Sequence, residues 1–314
     1  MRKIYLEKDI SQPRTCVATV GFFDGVHLGH QFLISKVVDE AHKRGMESMV
    51  VTFDNHPRQV VDDSFRPLLL TTNDEKLVRL ATTGVDNCAV LHFDADMAVL
   101  SAREFMEQVL RKHLGVRCLI IGYDNRFGHR RSEGFHDYVR YGAELGIDVL
   151  ACEPFVFDDG SVSSSAVRKA LSEGDMERAS RFLGNPYMLG GHVVQGYQQG
   201  RKLGFPTANI VLDDSRKLIP PTGVYAVKVR LSGSMEMRRG VMNIGYRPTF
   251  SGDDISLEVH IINYEGDLYG MKMMVALCHR LRGERKFENT GLLAAQMKED
   301  VRETNVLFDK EMEQ

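Results

Sequence analysis

The segment Gly21-Phe22-Phe23-Asp24-Gly25-Val26-His27-Leu28-Gly29-His30 concentrates residue types that handle phosphate. It follows an apolar, β-branched run, Cys16-Val17-Ala18-Thr19-Val20, and precedes a helix-like stretch, Phe32-Leu33-Ile34-Ser35-Lys36-Val37-Val38. Glycine and histidine therefore fall at a strand-to-helix turn, where an open α/β sheet binds its ligands. The start of the following helix offers unpaired N–H groups and the positive end of its dipole to an anion. Glycine lets the backbone come close to that anion. Histidine donates a hydrogen bond to phosphate and can carry charge near neutral pH. The His-x-Gly-His spacing points to phosphate handling in nucleotide chemistry. Two plainer readings stay open for these residues by themselves: a zinc site, or ordinary polar residues at a helix start. Zinc requires about four ligands, and Cys16 has no Cys-x-x-Cys pair to join.

Three further polar segments follow strand-like runs in the same half. They are Phe53-Asp54-Asn55-His56-Pro57-Arg58, Gly122-Tyr123-Asp124-Asn125-Arg126-Phe127-Gly128 and Ser163-Ser164-Ser165-Ala166-Val167-Arg168. In a parallel sheet all of them reach one rim, alongside the first segment. Taken singly, His56-Pro57 reads equally as a turn and the serines as a helix cap. In the second half, Gly200-Arg201-Lys202-Leu203-Gly204-Phe205-Pro206-Thr207-Ala208-Asn209 is a glycine-bracketed loop with the donors and oxygens to hold phosphate and magnesium. A chance loop of that composition is not rare. Glu258 lies in Leu257-Glu258-Val259-His260-Ile261, where alternation alone gives a solvent-facing carboxylate.

The elements that position these residues are legible in outline. Strand-like segments at 16–20, 48–53, 87–93, 116–122 and 147–150 alternate with helix-like ones at 32–44, 73–81, 101–114 and 135–145. Ser101 with Glu104 forms a capping box, and Gly45 and Gly115 end their helices. This alternation predicts an α/β domain with a doubly wound parallel sheet and helices on both faces. After Gly184 short alternating strands at 224–231, 240–244 and 255–263, separated by glycine and proline turns, predict a small antiparallel β-barrel. A closing helix over 289–308 carries Leu293, Met297 and Val301 on one stripe. The expected domains are 1–184 and 185–314.

The bulk numbers agree with two globular domains. The chain has 314 residues, 43% hydrophobic and 26% charged, with a net charge of −3. That balance disfavours a dedicated nucleic-acid binder. Cys16, Cys88, Cys118, Cys152 and Cys278 are scattered through apolar runs, as buried thiols in a reducing compartment would be. The N-terminus reads as no signal peptide, and no apolar run reaches the ~20 residues of a membrane span. A cytoplasmic protein is expected.

The first segment resembles the nucleotidyltransferase signature of bacterial bifunctional riboflavin kinase/FAD synthetases. The segments 122–128 and 163–168 are similar to later motifs of that module, and Gly204-Phe205-Pro206-Thr207-Ala208-Asn209 to the riboflavin kinase motif. The resemblance covers essentially the whole chain, in the family's order. It implies phosphorylation of riboflavin by ATP to FMN in the C-terminal barrel, then adenylyl transfer from ATP to FMN in the N-terminal domain. It implies that His27 and His30 contact ATP phosphates within a loop also formed by Gly21, Phe22, Asp24, Gly25 and Gly29. Asp124 would hold the nucleotide, Ser163, Ser164 and Arg168 the pyrophosphate, and His56 and Pro57 would face FMN. In the kinase, Lys202 and Gly204 would serve the phosphates, Thr207 and Asn209 would coordinate Mg-ATP, Glu258 would be the base, and Arg282 would lie near the flavin. Ser165 stands where the family commonly has threonine, and Asn125 where an aromatic is expected. Partners are then small molecules, with no nucleic acid or membrane, and the expected assembly is a monomer or weak homo-oligomer. The alternatives are a nucleotidyltransferase of other specificity and a flavin-binding regulator that has lost catalysis. Retention of His27, His30, Asn209 and Glu258 speaks against the last.

Overall fold

A computed structural model describes residues 1–5, 14–62, 64–123, 125–129, 132–157, 160–195, 204–249 and 252–313. The chain forms two compact units, Met1–Ser164 and Ser165–Gln314.

The first unit is built on strands β1 (Arg2–Tyr5), β2 (Cys16–Val20), β3 (Glu47–Phe53), β4 (Asn87–Leu91), β5 (Val116–Gly122) and β6 (Asp148–Cys152). They form one sheet in the order β1-β4-β3-β2-β5-β6, with every neighbouring pair parallel. From β2 the chain winds outward through β3 and β4, then returns to add β5 and β6 on the other side. The switch point is therefore between β2 and β5, the place where such sheets open a crevice at their carboxyl ends. Its helices are α1 (Leu28–Arg44), α2 (Pro57–Val61), α3 (Asn73–Ala81), α4 (Ala95–Val99), α5 (Ala102–Glu104) and α6 (Phe135–Leu145).

Strand side chains alternate between two cores, as period-two geometry requires. Ala18, Val20, Met49 and Val51 pack with Phe105, Met106, Leu110 and Tyr138 on one face. Val17, Val50, Cys88 and Ile120 pack with Ile34, Val37, Leu77 and Leu80 on the other. The parallel sheet with helices on both faces is thus as the alternation predicted. One helix differs. Beyond α5, residues Phe105–His113 are π-helical, and the Leu114 N–H reaches back to the Val109 carbonyl at 3.0 Å. Buried residues there recur at 105/106, 109/110 and 114, a spacing that suits the wider i→i+5 turn. All five cysteines are buried and unbridged. Burial pushes the Cys16 thiol up to about 12 and Cys88, Cys118 and Cys278 to about 11.

A short ribbon of β7 (Val156–Phe157) and β8 (Gly160–Ser161) leads to α7 (Ser164–Glu173) and α8 (Met176–Leu183). The second unit then closes a six-stranded barrel in the order β10-β13-β12-β11-β14-β9. Its strands are β9 (Tyr187–Val194), β10 (Ala208–Leu212), β11 (Gly223–Leu231), β12 (Arg238–Thr249), β13 (Gly252–Ile261) and β14 (Lys272–Arg282), all paired antiparallel. Closure leaves no unpaired sheet edge. Gly191 lets β9 and β10 approach, because a Cβ there would meet the Val211 carbonyl at 2.2 Å.

The terminal helix α9 (Thr290–Met312) is capped by Asn289, whose side chain accepts the Leu292 N–H at 2.9 Å. Its buried residues are Asp300, Thr304 and Phe308. The expected stripe of Leu293, Met297 and Val301 is only half-buried and lines a cavity instead. Among the described residues no helix is long and apolar enough to cross a membrane.

Candidate active sites

The Gly21–His30 segment leaves the end of β2 and forms a single 3₁₀ turn, Asp24–Val26, before α1. The turn is tight enough to force positive φ on Phe23 (54°), Gly25 (80°) and Val26 (43°). For a β-branched valine that is a strained conformation, of the kind that gathers at ligand-binding loops. Asp24 supplies the restraint. Its buried Oδ1 accepts the Thr71 N–H at 2.9 Å, the Thr71 hydroxyl at 3.1 Å and, shared with Oδ2, the Leu70 N–H at 3.0 Å. The Thr71 hydroxyl oxygen in turn accepts the Gly25 N–H at 3.0 Å. The Asp24 carboxylate thus faces the Leu70–Thr71 backbone.

His27 both caps α1 and lies at the loop. Its Nδ1 accepts the His30 N–H at 3.3 Å, which places the proton of a neutral ring on Nε2. The two imidazoles stack with centroids 3.6 Å apart. Burial, the neighbouring His27 and the nearby Lys76 ammonium hold His30 well below the usual histidine range. The positive charge anticipated for a histidine here is therefore suppressed on His30, because desolvation and the neighbouring cationic groups oppose it. The buried His30 Nδ1 has no hydrogen-bond partner among the described residues. Gly29 leaves room for this pair: a Cβ there would sit 3.1 Å from the Val162 carbonyl and 3.2 Å from the His27 ring. No group of three or more His, Cys, Asp or Glu able to hold a metal occurs among the described residues.

Contacts join the polar loops to this turn. The Thr52 hydroxyl donates to the Phe22 carbonyl at 3.1 Å. His56 packs edge-on against Phe22 at 4.7 Å while its Nδ1 accepts the Arg58 N–H at 3.1 Å as the cap of α2. Pro57 occupies the first position of that helix, where its missing N–H is harmless. The Asn125 amide donates to the Val20 carbonyl. The Ser164 hydroxyl donates to the Asp24 carbonyl at 3.0 Å. Gly21, Phe22, His56, Pro57 and Asn125, with Phe53, line a cleft of ≈ 120 Å³. Ser163 immediately precedes α7, and Arg168 lies on that helix, within the second unit. Asp124 lies outside the described residues.

Lys76 on α3 was not singled out from the sequence. It is 2% exposed, and its Nζ donates to the Phe53 carbonyl at 2.7 Å and the Phe22 carbonyl at 3.3 Å. Its burial could have been suspected, since it precedes Leu77 and stands one turn before Leu80 on the apolar face.

In the barrel, strand register assembles the second site. Glu258 on β13 is paired with Asn209 on β10 and with Asn243 on β12. Directly opposed residues share a sheet face, so the carboxylate stands between two amides. The Thr207 hydroxyl lies 3.5 Å from Glu258 Oε2. Asn209 is 6% exposed, and its Oδ1 has no hydrogen-bond partner among the described residues. His260 Nδ1 is 2.9 Å from the Pro206 carbonyl, which ties the 204–207 turn to β13. Thr207, Asn243 and Glu258 line a cavity of ≈ 330 Å³ walled by Phe205, Val224 and Val241 and roofed by Leu293, Met297 and Val301 of α9.

Arg282 also lines this cavity, held by α9: its Nε and Nη2 donate to the two Asp300 oxygens at 3.0 and 2.8 Å. Asn243 and Asp300 are further lining residues that sequence reasoning missed. Neither carries a local signal, because only strand pairing and helix docking bring them in. Gly204 takes a left-handed φ of 84° at the start of its turn. Lys202 lies outside the described residues.

Residues 9–166 match the family model described as FAD synthetase, and residues 183–308 match the one described as riboflavin kinase. A protein of Escherichia coli (strain K12), named bifunctional riboflavin kinase/FMN adenylyltransferase, is 40% identical over 285 residues, which cover 91% of this chain and 90% of that protein. A protein of the same name from Listeria monocytogenes serovar 1/2a is 34% identical and covers 99% of both chains. A crystal structure described as a macrolide-efflux protein from Streptococcus pneumoniae superposes with a TM-score of 0.88 at 31% identity, covering 97% of this chain and 99% of that one.

Proposed function

This chain belongs to the bifunctional riboflavin kinase/FMN adenylyltransferase family, and from that premise we propose how its residues divide the two reactions. The chain phosphorylates riboflavin to FMN and adenylylates FMN to FAD. We place the functional boundary at 184/185, past the end of the FAD synthetase match at 166 and beside the start of the riboflavin kinase match at 183.

In the kinase, Glu258 accepts the proton of the riboflavin hydroxyl as its oxygen attacks the γ-phosphorus of ATP and ADP departs. The observation that carries this is the row Asn209–Glu258–Asn243 with the Thr207 hydroxyl beside it. The same oxygens suit a hard divalent cation, and the unpaired buried Asn209 Oδ1 is the kind of atom such an ion satisfies. Mg²⁺ would be held by Thr207 and Asn209 and would neutralise charge on the ATP phosphates. Lys202 and Gly204 serve the phosphates. Phe205, Val224 and Val241 provide an apolar berth for a flavin ring, and Arg282 sits at its edge.

In the adenylyltransferase, an FMN phosphate oxygen attacks the α-phosphorus of ATP, and the bond to the β-phosphate breaks to release pyrophosphate. No covalent enzyme intermediate is required. The loop contributes positioning and charge stabilisation: His27 and His30, the backbone of Gly21, Phe22, Gly25 and Gly29, and the α1 N-terminus receive the ATP phosphates. Asp24 acts by holding that loop. Asp124 holds the nucleotide, Ser163, Ser164 and Arg168 the pyrophosphate, and His56 and Pro57 face FMN. The chain acts on its small-molecule substrates as a cytoplasmic monomer or weak homo-oligomer.

The test is to incubate the chain with riboflavin, ATP and magnesium and separate the flavins by chromatography. Wild type yields FMN and FAD. His30→Ala accumulates FMN without FAD, whereas Glu258→Ala makes no FMN but converts supplied FMN to FAD. FAD synthesis by His30→Ala, or riboflavin phosphorylation by Glu258→Ala, would reject the corresponding assignment.

A further inference from the structure

Lys76 is a buried charge whose direct bonds go to carbonyls, with two carboxylates nearby but neither paired to it among the described residues. Its hydrogen bonds go to the carbonyls of Phe53 and Phe22, and its Nζ stands 4.4 Å from the Phe22 ring centroid. Among the described residues it forms no ion pair. Every element packed around it brings a titratable group: Asp24 before α1, His30 on α1, Asp54 after β3 and Cys88 on β4. Neither carboxylate bonds Nζ, although the buried Asp54 Oδ1 has no hydrogen-bond partner among the described residues. Asp24 accepts from Leu70 and Thr71, and Asp54 Oδ2 lies 2.8 Å from His92 Nδ1. Cys88 and His30 are held neutral by burial. Desolvation accordingly brings the Lys76 ammonium down to about 8.

An unmatched buried ammonium is unfavourable, and two carbonyls could be satisfied by neutral donors. The arrangement becomes favourable when an anion enters beside it. The two carbonyls also belong to the places where β2 and β3 release their loops, those of the histidine pair and of His56-Pro57.

We propose that Lys76 is a positioning residue of the adenylyl-transfer site, pinning the ends of β2 and β3 together and lending its buried charge to the phosphate loop. The proposal rests on the reading that the His27–His30 loop receives the ATP phosphates. It implies that the FMN-side and ATP-side loops keep a common geometry because one ammonium holds both, and misplacement by about 1 Å costs on the order of 100-fold in such a transfer.

The experiment compares wild type with Lys76→Met, which keeps the volume and removes the charge and donors. FAD formation from supplied FMN is followed from pH 6 to pH 9.5, with riboflavin phosphorylation by the same preparation as the internal control. Amide exchange in the buried strands β2, β3 and β4 reports whether the first unit is folded. The expected result is a roughly 100-fold lower kcat for FAD formation, unchanged riboflavin phosphorylation and retained exchange protection. Wild-type kcat/KM for FAD formation falls as pH rises through about 8, where the free enzyme loses the Lys76 proton, and this alkaline limb is absent from the variant. Wild-type FAD formation by Lys76→Met, an alkaline limb that persists in it, or rate loss accompanied by lost protection each overturns the proposal. His30→Ala measured alongside separates the underlying reading: if it still makes FAD, the phosphate-loop assignment fails whatever Lys76→Met does.

Discussion

Replacing Asp24 tests whether its carboxylate acts on the ligand or on the loop. Oδ1 carries three of the bonds outright or in part, from the Thr71 N–H, the Thr71 hydroxyl and the Leu70 N–H, while Oδ2 only shares the last. Asp24→Asn keeps Oδ1 but turns an amide N–H toward the Leu70 N–H that Oδ2 shares and loses the charge assistance, together about 1 kcal/mol. Asp24→Ala strands the Leu70 and Thr71 N–H groups in a buried site at about 1–3 kcal/mol each, hence about 2–6 kcal/mol for the pair. At about 1.4 kcal/mol per decade, the lower bound already reduces the population of the working loop roughly 30-fold. We therefore expect Asp24→Ala to lose at least that factor in kcat/KM for FAD formation, with Asp24→Asn within about tenfold of wild type. Riboflavin phosphorylation by the same preparations stays unchanged. Hydrogen exchange at Leu70 and Thr71, read by mass spectrometry, rises in the alanine variant and much less in the asparagine one. If the asparagine variant is as inactive as the alanine one while Leu70 and Thr71 remain protected, the negative charge itself serves the reaction and the restraint argument is wrong.

Two other outcomes follow from the same geometry. Because His30 is held neutral in the folded chain, the unfolded chain binds the extra proton below about pH 6.5, so acid lowers stability there by up to about 1.4 kcal/mol per pH unit. Denaturant titrations of the first unit at pH 7 and 5.5 should show that loss, and His30→Phe should reduce it. Asp300→Ala leaves the Arg282 guanidinium without its bidentate partner under α9, a change of about 3 kcal/mol for a buried pair. The KM for riboflavin should rise while conversion of supplied FMN to FAD is untouched, and an unchanged KM would show that α9 is not held over the cavity by this pair.

What sequence alone could determine was whatever repeats locally or sits at a chain-level signal. The apolar run Cys16–Val20, the glycine and histidines after it and the capping box at Ser101 and Glu104 each depend on a few neighbouring residues, and the corresponding elements fall where those signals place them. Period-two alternation identified β11, β12 and β13, though β12 and β13 extend beyond the spans read. Glycine-rich β9, short β10 and β14, apolar throughout 273–278, lack a clean sequence alternation, and only barrel closure defines them. Likewise Lys76, Thr71, Asn243 and Asp300 owe their places to partners 18 to 54 residues away or to strand register. A charged residue in a helix or an amide in a strand reads as solvated until packing removes the water around it. Local signals therefore located the Gly21–His30 turn and the Gly204–Asn209 segment. Which carboxylate restrains the loop, which amine stays buried beneath it and which amides flank Glu258 were decided by tertiary packing, because burial and pairing are properties of the folded surface and not of the residue.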